Sequence, residues 1–214
     1  MSKYSQILSL LKKHYPHAKI VLNYSNNWEL TVAVILSSQC TDKRVNLVTQ
    51  KLFLKYKTFD DYVKADLVEF ENDIKSTGFF RHKAKNILSS AKLIKDKYNG
   101  SIPKTMRDIL SLPGIARKSA NVILGNAYGV VEGIAVDTHV IRLSRRLGFT
   151  KNKDPEKIEK DLMKLFAKNI WFILTYLLID HGRTICDAKK PSCDDCFLNK
   201  LCPSAFKFPH FRKN

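Results

Sequence analysis

The chain has 214 residues, of which 37 are Lys or Arg and 20 are Asp or Glu, so its formal net charge is +17. This length is enough to bury a core in one domain or two small ones, and the charge predicts a polyanionic partner, nucleic acid ahead of an anionic membrane surface. A positive surface that is merely solvated is the alternative. No long apolar run or signal-peptide core is evident, so we expect a soluble, cytoplasmic protein that does not bind membranes.

Frequent caps and helix breakers, with almost no β-type alternation, predict an all-α fold. The first helix is expected over Tyr4–Tyr15. Asn27 is expected to cap an apolar and therefore central helix, and Thr41 or Asp42 to cap the next one. Later helices are expected over Asp60–Lys75, over Lys83–Tyr98, from Arg117 onward, after Asp137, and from the Asp154-Pro155 start to Phe166.

A turn rich in helix breakers, Leu112–Ala116, precedes the helix that begins at Arg117. The backbone N–H groups at such a helix start have no intrahelical partner and lie in the positive field of the helix end, so the turn can bind a phosphate oxygen. Lys118 lies in the first helical turn, where the helix end and Arg117 both disfavour a second positive charge. We therefore expect part of this amine to be neutral and nucleophilic, although an ordinary surface lysine is the alternative.

A second helix start lies at Asp137, before an apolar periodic run that ends at Gly148. Asp137 is placed to cap this helix, and the backbone N–H groups and the helix dipole favour its ionised form. A capping role without catalysis is the alternative. A neutral amine and a charged carboxylate together suit attack on an electron-poor carbon while positive charge develops nearby.

Four of the five cysteines lie close together near the C-terminus. So compact a set argues against a secreted disulfide framework and suits either a tetrahedral zinc ion or a cubane iron–sulfur cluster. Zinc sites usually contain two short Cys-x2-Cys pairs, and one occurs here, so the chemistry favours the cluster and leaves zinc open. The cysteines are Cys186, Cys193, Cys196 and Cys202.

These residues resemble the endonuclease III family of DNA glycosylase/AP lyases, in the helix-hairpin-helix superfamily. The family pattern LPGxGxKTAN followed by VDTH corresponds to LPGIARKSAN and VDTH in this chain, and an HGR lead-in precedes cysteines of matching spacing. The resemblance runs from about Tyr4 to Cys202. It implies a [4Fe–4S] cluster on the four cysteines. It also implies a six-helix barrel with the hairpin over 20–130, a cluster domain formed by 1–19 and 131–214, and an active site in the cleft between them.

The resemblance also implies contacts with DNA. Gln39 matches a glutamine that enters the space left by an extruded nucleotide, and Phe79 stands where the family often has leucine as a second wedge. A core aromatic beside Phe80 is the alternative for Phe79. A wedge separates base steps and helps offset the cost of unstacking. The other expected contacts are Leu112, Gly114, Ala116, Arg117, His139, Lys189, Lys190 and Lys200.

The resemblance implies base excision repair of oxidised pyrimidines in double-stranded DNA by a monomer, at the nucleoid if the source is prokaryotic. Lys118 would attack C1′ of the flipped nucleoside, expel the base and form a Schiff base, and β-elimination would break the strand on the 3′ side. Asp137 would either help deprotonate the lysine or stabilise positive charge on the sugar, and the electrostatic role is favoured. A glycosylase of this superfamily for pyrimidine dimers or mismatched bases is one alternative, and a non-catalytic, metal-stapled DNA-binding module is another.

Overall fold

The computed structural model describes residues 2–211 and confirms the all-α prediction, because the described chain contains α-helices, two short 3-10 helices and no β-strand. None of the described helices is long and apolar enough to span a membrane. The α-helices are α1 (Lys3–His14), α2 (Asn27–Leu36), α3 (Asp42–Lys55), α4 (Phe59–Lys64), α5 (Leu67–Asp73), α6 (Phe80–Tyr98), α7 (Met106–Ile109), α8 (Arg117–Tyr128), α9 (Thr138–Arg146), α10 (Pro155–Leu165) and α11 (Lys168–Thr184). The 3-10 helices are Lys75–Thr77 and Pro209–Phe211.

Contacts within the chain divide it into two compact units. The central unit is Val21–Glu132 and contains α2 to α8. The terminal unit consists of the described residues on both sides of it and contains α1, α9, α10, α11 and the cysteine segment. The last three residues of the chain, 212–214, belong to the basic tail and lie outside the described residues.

Helix α2 forms the core of the central unit, as its apolar character predicts. Its residues from Leu30 to Leu36 are all buried. The predicted cap is displaced by one residue, since the side chain of Asn26, and not of Asn27, accepts the N–H of Glu29. Thr41 caps α3 by accepting the N–H of Arg44, as expected.

Two helix boundaries in the central unit differ from prediction. The segment expected as one helix, Asp60–Lys75, is two helices, because Asp66 caps α5 and so interrupts the run after α4. Helix α6 begins at Phe80, three residues before the predicted start at Lys83. It follows directly on Phe79, which has a left-handed backbone conformation.

The terminal unit is organised around α11. Buried leucines of α11, Leu174, Leu177 and Leu178, pack in one core with Ile7 of α1 and Val140 of α9. The N-terminus of α10 has the predicted arrangement, with an aspartate cap followed by proline at the first helical position.

Candidate functional site

The hairpin before α8 has the open backbone that its sequence predicts. Gly114 has φ +80°, and the N–H of Ile115 closes the turn by donating to the Leu112 carbonyl at 3.2 Å. Gly114 and Ala116 are exposed, and their N–H groups donate no hydrogen bond to any described part of the chain. Ala116 has φ −97° and ψ 170°, an extended conformation open to any residue, so alanine fits where the common hairpin has glycine.

Leu112 lies in this hairpin with its side chain buried. The side chain is 2% exposed and lies in the core of the central unit, where an isobutyl group is more stable than in water. The contact of Leu112 with DNA stays a prediction. The buried Leu112 side chain anchors the hairpin to the core of the central unit.

Lys118 is the second residue of α8 and is exposed. Ala116, at the N-cap position, provides no capping side chain, so the first N–H groups of the helix are not occupied by a cap. Within residues 2–211, the Lys118 amine forms no ion pair. The amine is therefore accessible, beside a helix start that can hold an anion.

Asp137 has the predicted capping geometry. It precedes α9, and its Oδ1 accepts the N–H of Val140 at 2.8 Å. The carboxylate is half-buried, and its second oxygen is not used by the cap. The capping role is confirmed, and the catalytic role stays a prediction.

His139 is the second residue of α9 and is held by other residues of the terminal unit. Its Nδ1 is 3.1 Å from a guanidinium nitrogen of Arg142, and the same nitrogen donates to the Gly182 carbonyl at 2.9 Å. A Cβ on Gly182 would lie 2.7 Å from His139 Nδ1, so glycine is needed for this close packing. The imidazole is thus fixed against α11, and its contact with DNA stays a prediction.

The two predicted wedge residues share an unusual conformation. Gln39 has φ 51° and Phe79 has φ 47°, both in the left-handed region that non-glycine residues rarely adopt. Gln39 is exposed, and Phe79 is 62% exposed. The alternative of a core aromatic at Phe79 is therefore wrong. Both side chains are presented to solvent by strained turns, which recur at functional sites.

Lys83 is a residue that the sequence analysis did not single out. It is 4% exposed, and its Nζ donates to the carbonyls of Leu36 and Thr77 at 2.8 Å each. Its spacing to Ile87 and Ile94 places it on the apolar face of α6, which is the signal that could have revealed its burial. Burial lowers the pKa of Lys83, and the nearby Cys40 opposes this effect only in part.

The four clustered cysteines form no disulfide and line one cavity. The cavity contains about 360 Å³ of space free of protein atoms, part of it open to solvent. Burial, together with the neighbouring cysteines, raises the pKa of Cys196 to about 11. Over the described ranges, no three His, Cys, Asp or Glu side chains lie close enough together to hold a metal ion in the arrangement shown.

One arginine, Arg146, lines this cavity. The guanidinium of Arg146 donates to Cys186 Sγ at 3.2 Å and to the carbonyls of Asp187 and Ala188 at 2.6 and 2.8 Å. It also lies over the ring of Phe208, 4.6 Å from the ring centroid. Arg146 therefore ties the start of the cysteine segment to α9 and to the C-terminal tail.

The lysines predicted to contact phosphates lie on the surface of the cysteine segment. Lys189, Lys190 and Lys200 are all exposed. The N–H groups of Lys189 and Lys190 donate to Asp187 Oδ1 at 2.8 and 3.0 Å, which folds the backbone into a tight turn and leaves both amines in solvent. Their contact with DNA stays a prediction.

Comparison with known proteins identifies close relatives over almost the whole chain. The sequence matches the HhH-GPD superfamily of base excision DNA repair proteins over residues 32–168. It is 50% identical to endonuclease III of Synechocystis sp. over 201 residues, which cover 94% of this chain and 92% of that protein. It is 47% identical to endonuclease III of Bacillus subtilis over 189 residues, 88% and 86% of the two chains. A solved structure of a trapped covalent intermediate of endonuclease III with DNA matches with a TM-score of 0.91 and 43% identity, covering 97% of this chain and 98% of that one.

Proposed function

The chain belongs to the endonuclease III family of the HhH-GPD superfamily of base excision DNA repair proteins, and we propose on this premise that it removes oxidised pyrimidines from duplex DNA. As a family member it is a DNA glycosylase with AP lyase activity. The observation that carries the assignment of its nucleophile is the exposed Lys118 amine beside the open hairpin backbone.

Recognition of DNA begins at the backbone. The N–H groups of Gly114 and Ala116 donate to a phosphate oxygen near the lesion, helped by the positive end of α8. Gln39 and Phe79 fill the stack from which the damaged nucleotide is extruded, and the glutamine amide can hydrogen-bond to the base left opposite. A damaged base stacks weakly, so extrusion selects for it before any pocket recognises its edge.

The chemistry then runs through an imine. The neutral amine of Lys118 attacks C1′, and the bond from C1′ to the base breaks with its electron pair leaving on the base, which takes up a proton. The nitrogen then loses one proton, and the C1′–O4′ bond breaks with its electron pair on O4′, which takes up a proton from water as C1′ becomes the iminium of the Schiff base. The iminium makes the C2′ proton acidic, and its removal expels the 3′ phosphate by β-elimination.

Asp137 acts on this reaction through its charge. Its carboxylate is held at the α9 N-terminus, where Oδ1 accepts the N–H of Val140. We therefore assign it electrostatic stabilisation of the positive charge that develops on the sugar, and not deprotonation of the lysine.

The four cysteines fit a cluster that binds thiolates. Cys186, Cys193, Cys196 and Cys202 share one cavity. Burial raises the pKa of Cys196 and Cys202, and a cationic metal group would oppose this effect by stabilising the thiolates. When bound, a [4Fe–4S] cluster would supply four Fe–S links that staple the cysteine segment. The segment then presents Lys189, Lys190 and Lys200 to phosphates, which adds affinity without sequence preference.

Incision assays on a panel of lesions test the proposal. Duplexes of one sequence carry thymine glycol, dihydrouracil, an abasic site or a cyclobutane dimer, and borohydride is added to trap the imine. We expect excision of the first two lesions, and an adduct on all cleaved substrates that Lys118→Ala abolishes and the surface control Lys51→Ala preserves. Preference for the cyclobutane dimer would instead support the pyrimidine-dimer alternative. DNA binding without any adduct would support a non-catalytic module.

The assembly and location follow from the same premise. We propose that the protein acts as a monomer on DNA in the cytoplasm, at the nucleoid of a prokaryotic cell. Sedimentation with and without a lesion duplex tests the first point, with one protein bound per lesion as the expected result.

A further inference from the structure

Lys83 lies in the first turn of α6 with its amine buried and held by main-chain oxygens. Both of its side-chain hydrogen bonds, to Leu36 O and Thr77 O, are 2.8 Å long. No carboxylate pairs with it in the part of the chain that the structure describes. Burial lowers its pKa, which shows that the position costs desolvation free energy. The two carbonyls are the hydrogen-bond acceptors that a buried ammonium requires.

The two carbonyls belong to the last residues of the helices that precede the predicted wedge residues Gln39 and Phe79. Leu36 is the last residue of α2, and Gln39 follows three residues later. Thr77 is the last residue of its 3-10 helix, and Phe79 follows two residues later. Carbonyls at helix ends lack intrahelical partners and carry partial negative charge, so one buried cation satisfies both ends.

The same residue also holds the far side of the Phe79 turn. The backbone N–H of Lys83 donates to the Phe79 carbonyl at 3.1 Å, while its side chain holds Thr77 on the near side. Left-handed conformations at non-glycine residues persist only where the surrounding structure holds them. Lys83 is therefore hydrogen-bonded to Leu36, where the loop that contains Gln39 begins, and to residues on both sides of the Phe79 turn.

From this geometry we propose that Lys83 is a positioning residue that couples the Gln39 and Phe79 loops, so that both side chains enter the duplex as one unit. The proposal rests on the proposed function, since it takes these two side chains to be the wedges. Lys83 is too deeply buried to contact DNA through its amine, and it acts only through the loops. Coupled loops are ordered before binding, so less entropy is lost when they enter the stack.

The variant Lys83→Met tests the coupling, because methionine keeps a long, flexible, buried side chain and removes both hydrogen bonds. Two substrates separate wedge insertion from chemistry: a duplex with thymine glycol, and a single-stranded oligonucleotide with an abasic site, which has no stack to fill. We expect the single-turnover excision rate on the duplex to fall by about tenfold or more, as expected from loss of charge-assisted hydrogen bonds. Borohydride trapping on the single strand should stay within about twofold.

A matched control keeps stability apart from positioning. Ile94→Ala removes a fully buried side chain from the same helix, α6, about three turns beyond Lys83. This control should lower the thermal unfolding temperature at least as much as Lys83→Met does. It should leave unchanged the ratio of the excision rate on the duplex to the trapping rate on the single strand.

A mutant cycle measures the coupling itself. Gln39→Ala, Phe79→Ala and the double variant are compared in the wild-type and Lys83→Met backgrounds. If the loops act as one unit, removing either wedge in the wild type costs nearly as much duplex activity as removing both. In the Lys83→Met background the two effects should multiply, as they do at independent sites.

The outcomes separate this inference from the proposed function. A wild-type protein that forms no adduct with an abasic site would refute the function. An active wild type with multiplicative wedge effects, or a Lys83→Met variant with an unchanged duplex rate, would overturn the coupling alone. If Lys83→Met does not fold, hydrogen exchange of the wild type decides. Residues 37–41 and 77–80 should then open with one common rate, and two independent rates would overturn the coupling.

Discussion

Substitution of Gly114 by alanine tests the hairpin most specifically, because two separate costs apply there. The residue has φ +80°, and a Cβ would lie 2.7 Å from Asn86 Nδ2 and 3.0 Å from its Cβ and Cγ. Gly129, just after α8, has φ +64° and no heavy atom within 4 Å of such a Cβ. Gly129→Ala is therefore a matched control that has the backbone strain without the steric overlap.

The magnitudes follow from these distances. A left-handed conformation costs a non-glycine residue about 1–2 kcal/mol, which applies to both variants. Displacing Asn86 adds about 1–3 kcal/mol of overpacking at Gly114 alone. We expect Gly114→Ala to lose roughly 2–5 kcal/mol of the free energy of unfolding and Gly129→Ala about 1–2 kcal/mol. Asn86→Ala in the Gly114→Ala background should restore part of the difference.

Urea unfolding measures the stabilities, and fluorescence anisotropy with an abasic-analogue duplex at one fixed salt concentration measures binding. Gly114→Ala should weaken binding by about tenfold, since it shifts an N–H that contacts phosphate, and Gly129→Ala should change it by less than about twofold. If the two variants lose equal stability and bind DNA equally well, the hairpin geometry and its proposed role are both wrong.

Three further predictions concern charge. Asp137→Asn should preserve the unfolding temperature, because asparagine caps helices as well as aspartate does. The variant should slow base excision in single-turnover assays, and a rate equal to that of the wild type would exclude an electrostatic role. Lys189→Ala and Lys190→Ala should each reduce the slope of log Kd against log salt by about 1 without changing lesion preference, and an altered preference would contradict phosphate contact. The hydrogen bond from the Thr58 backbone N–H lowers the pKa of Asp61 below its ordinary 3.8. The ionised carboxylate therefore stabilises the fold above pH 3.8, and this contribution is lost as the pH falls through the lowered pKa. Asp61→Asn should therefore be less stable than the wild type at neutral pH and equal to it in strong acid, and a pH-independent difference would contradict this assignment.

Local chemistry allowed most helix starts to be predicted. Thr41, Asp137 and Asp154 cap the helices expected of them, since a capping side chain and the N–H it accepts are only three residues apart. The same rule explains the errors nearby. Asn26 and Asn27 are equally good caps by composition, and Asp66 has helical neighbours on both sides that conceal its capping role.

Contacts between distant segments could not be predicted in this way. Phe79 is exposed and Leu112 is buried because of how their turns pack against the rest of the chain. The composition of each turn would also be compatible with a buried Phe79 and an exposed Leu112. Lys83 is buried against a carbonyl 47 residues away, an acceptor that no local pattern reveals. The family motif indicates which residues belong to the hairpin and the wedge loops, but not which of their atoms face the solvent.

The mechanism depends on an imine at one amine, and mass spectrometry can locate that imine. The wild-type protein is reduced with borohydride in the presence of an abasic-site duplex, digested with nuclease and protease, and the modified peptide is sequenced. The mechanism predicts the reduced sugar remnant on Lys118 alone. A remnant on another lysine or on the N-terminal amine, with Lys118 unmodified, would contradict it.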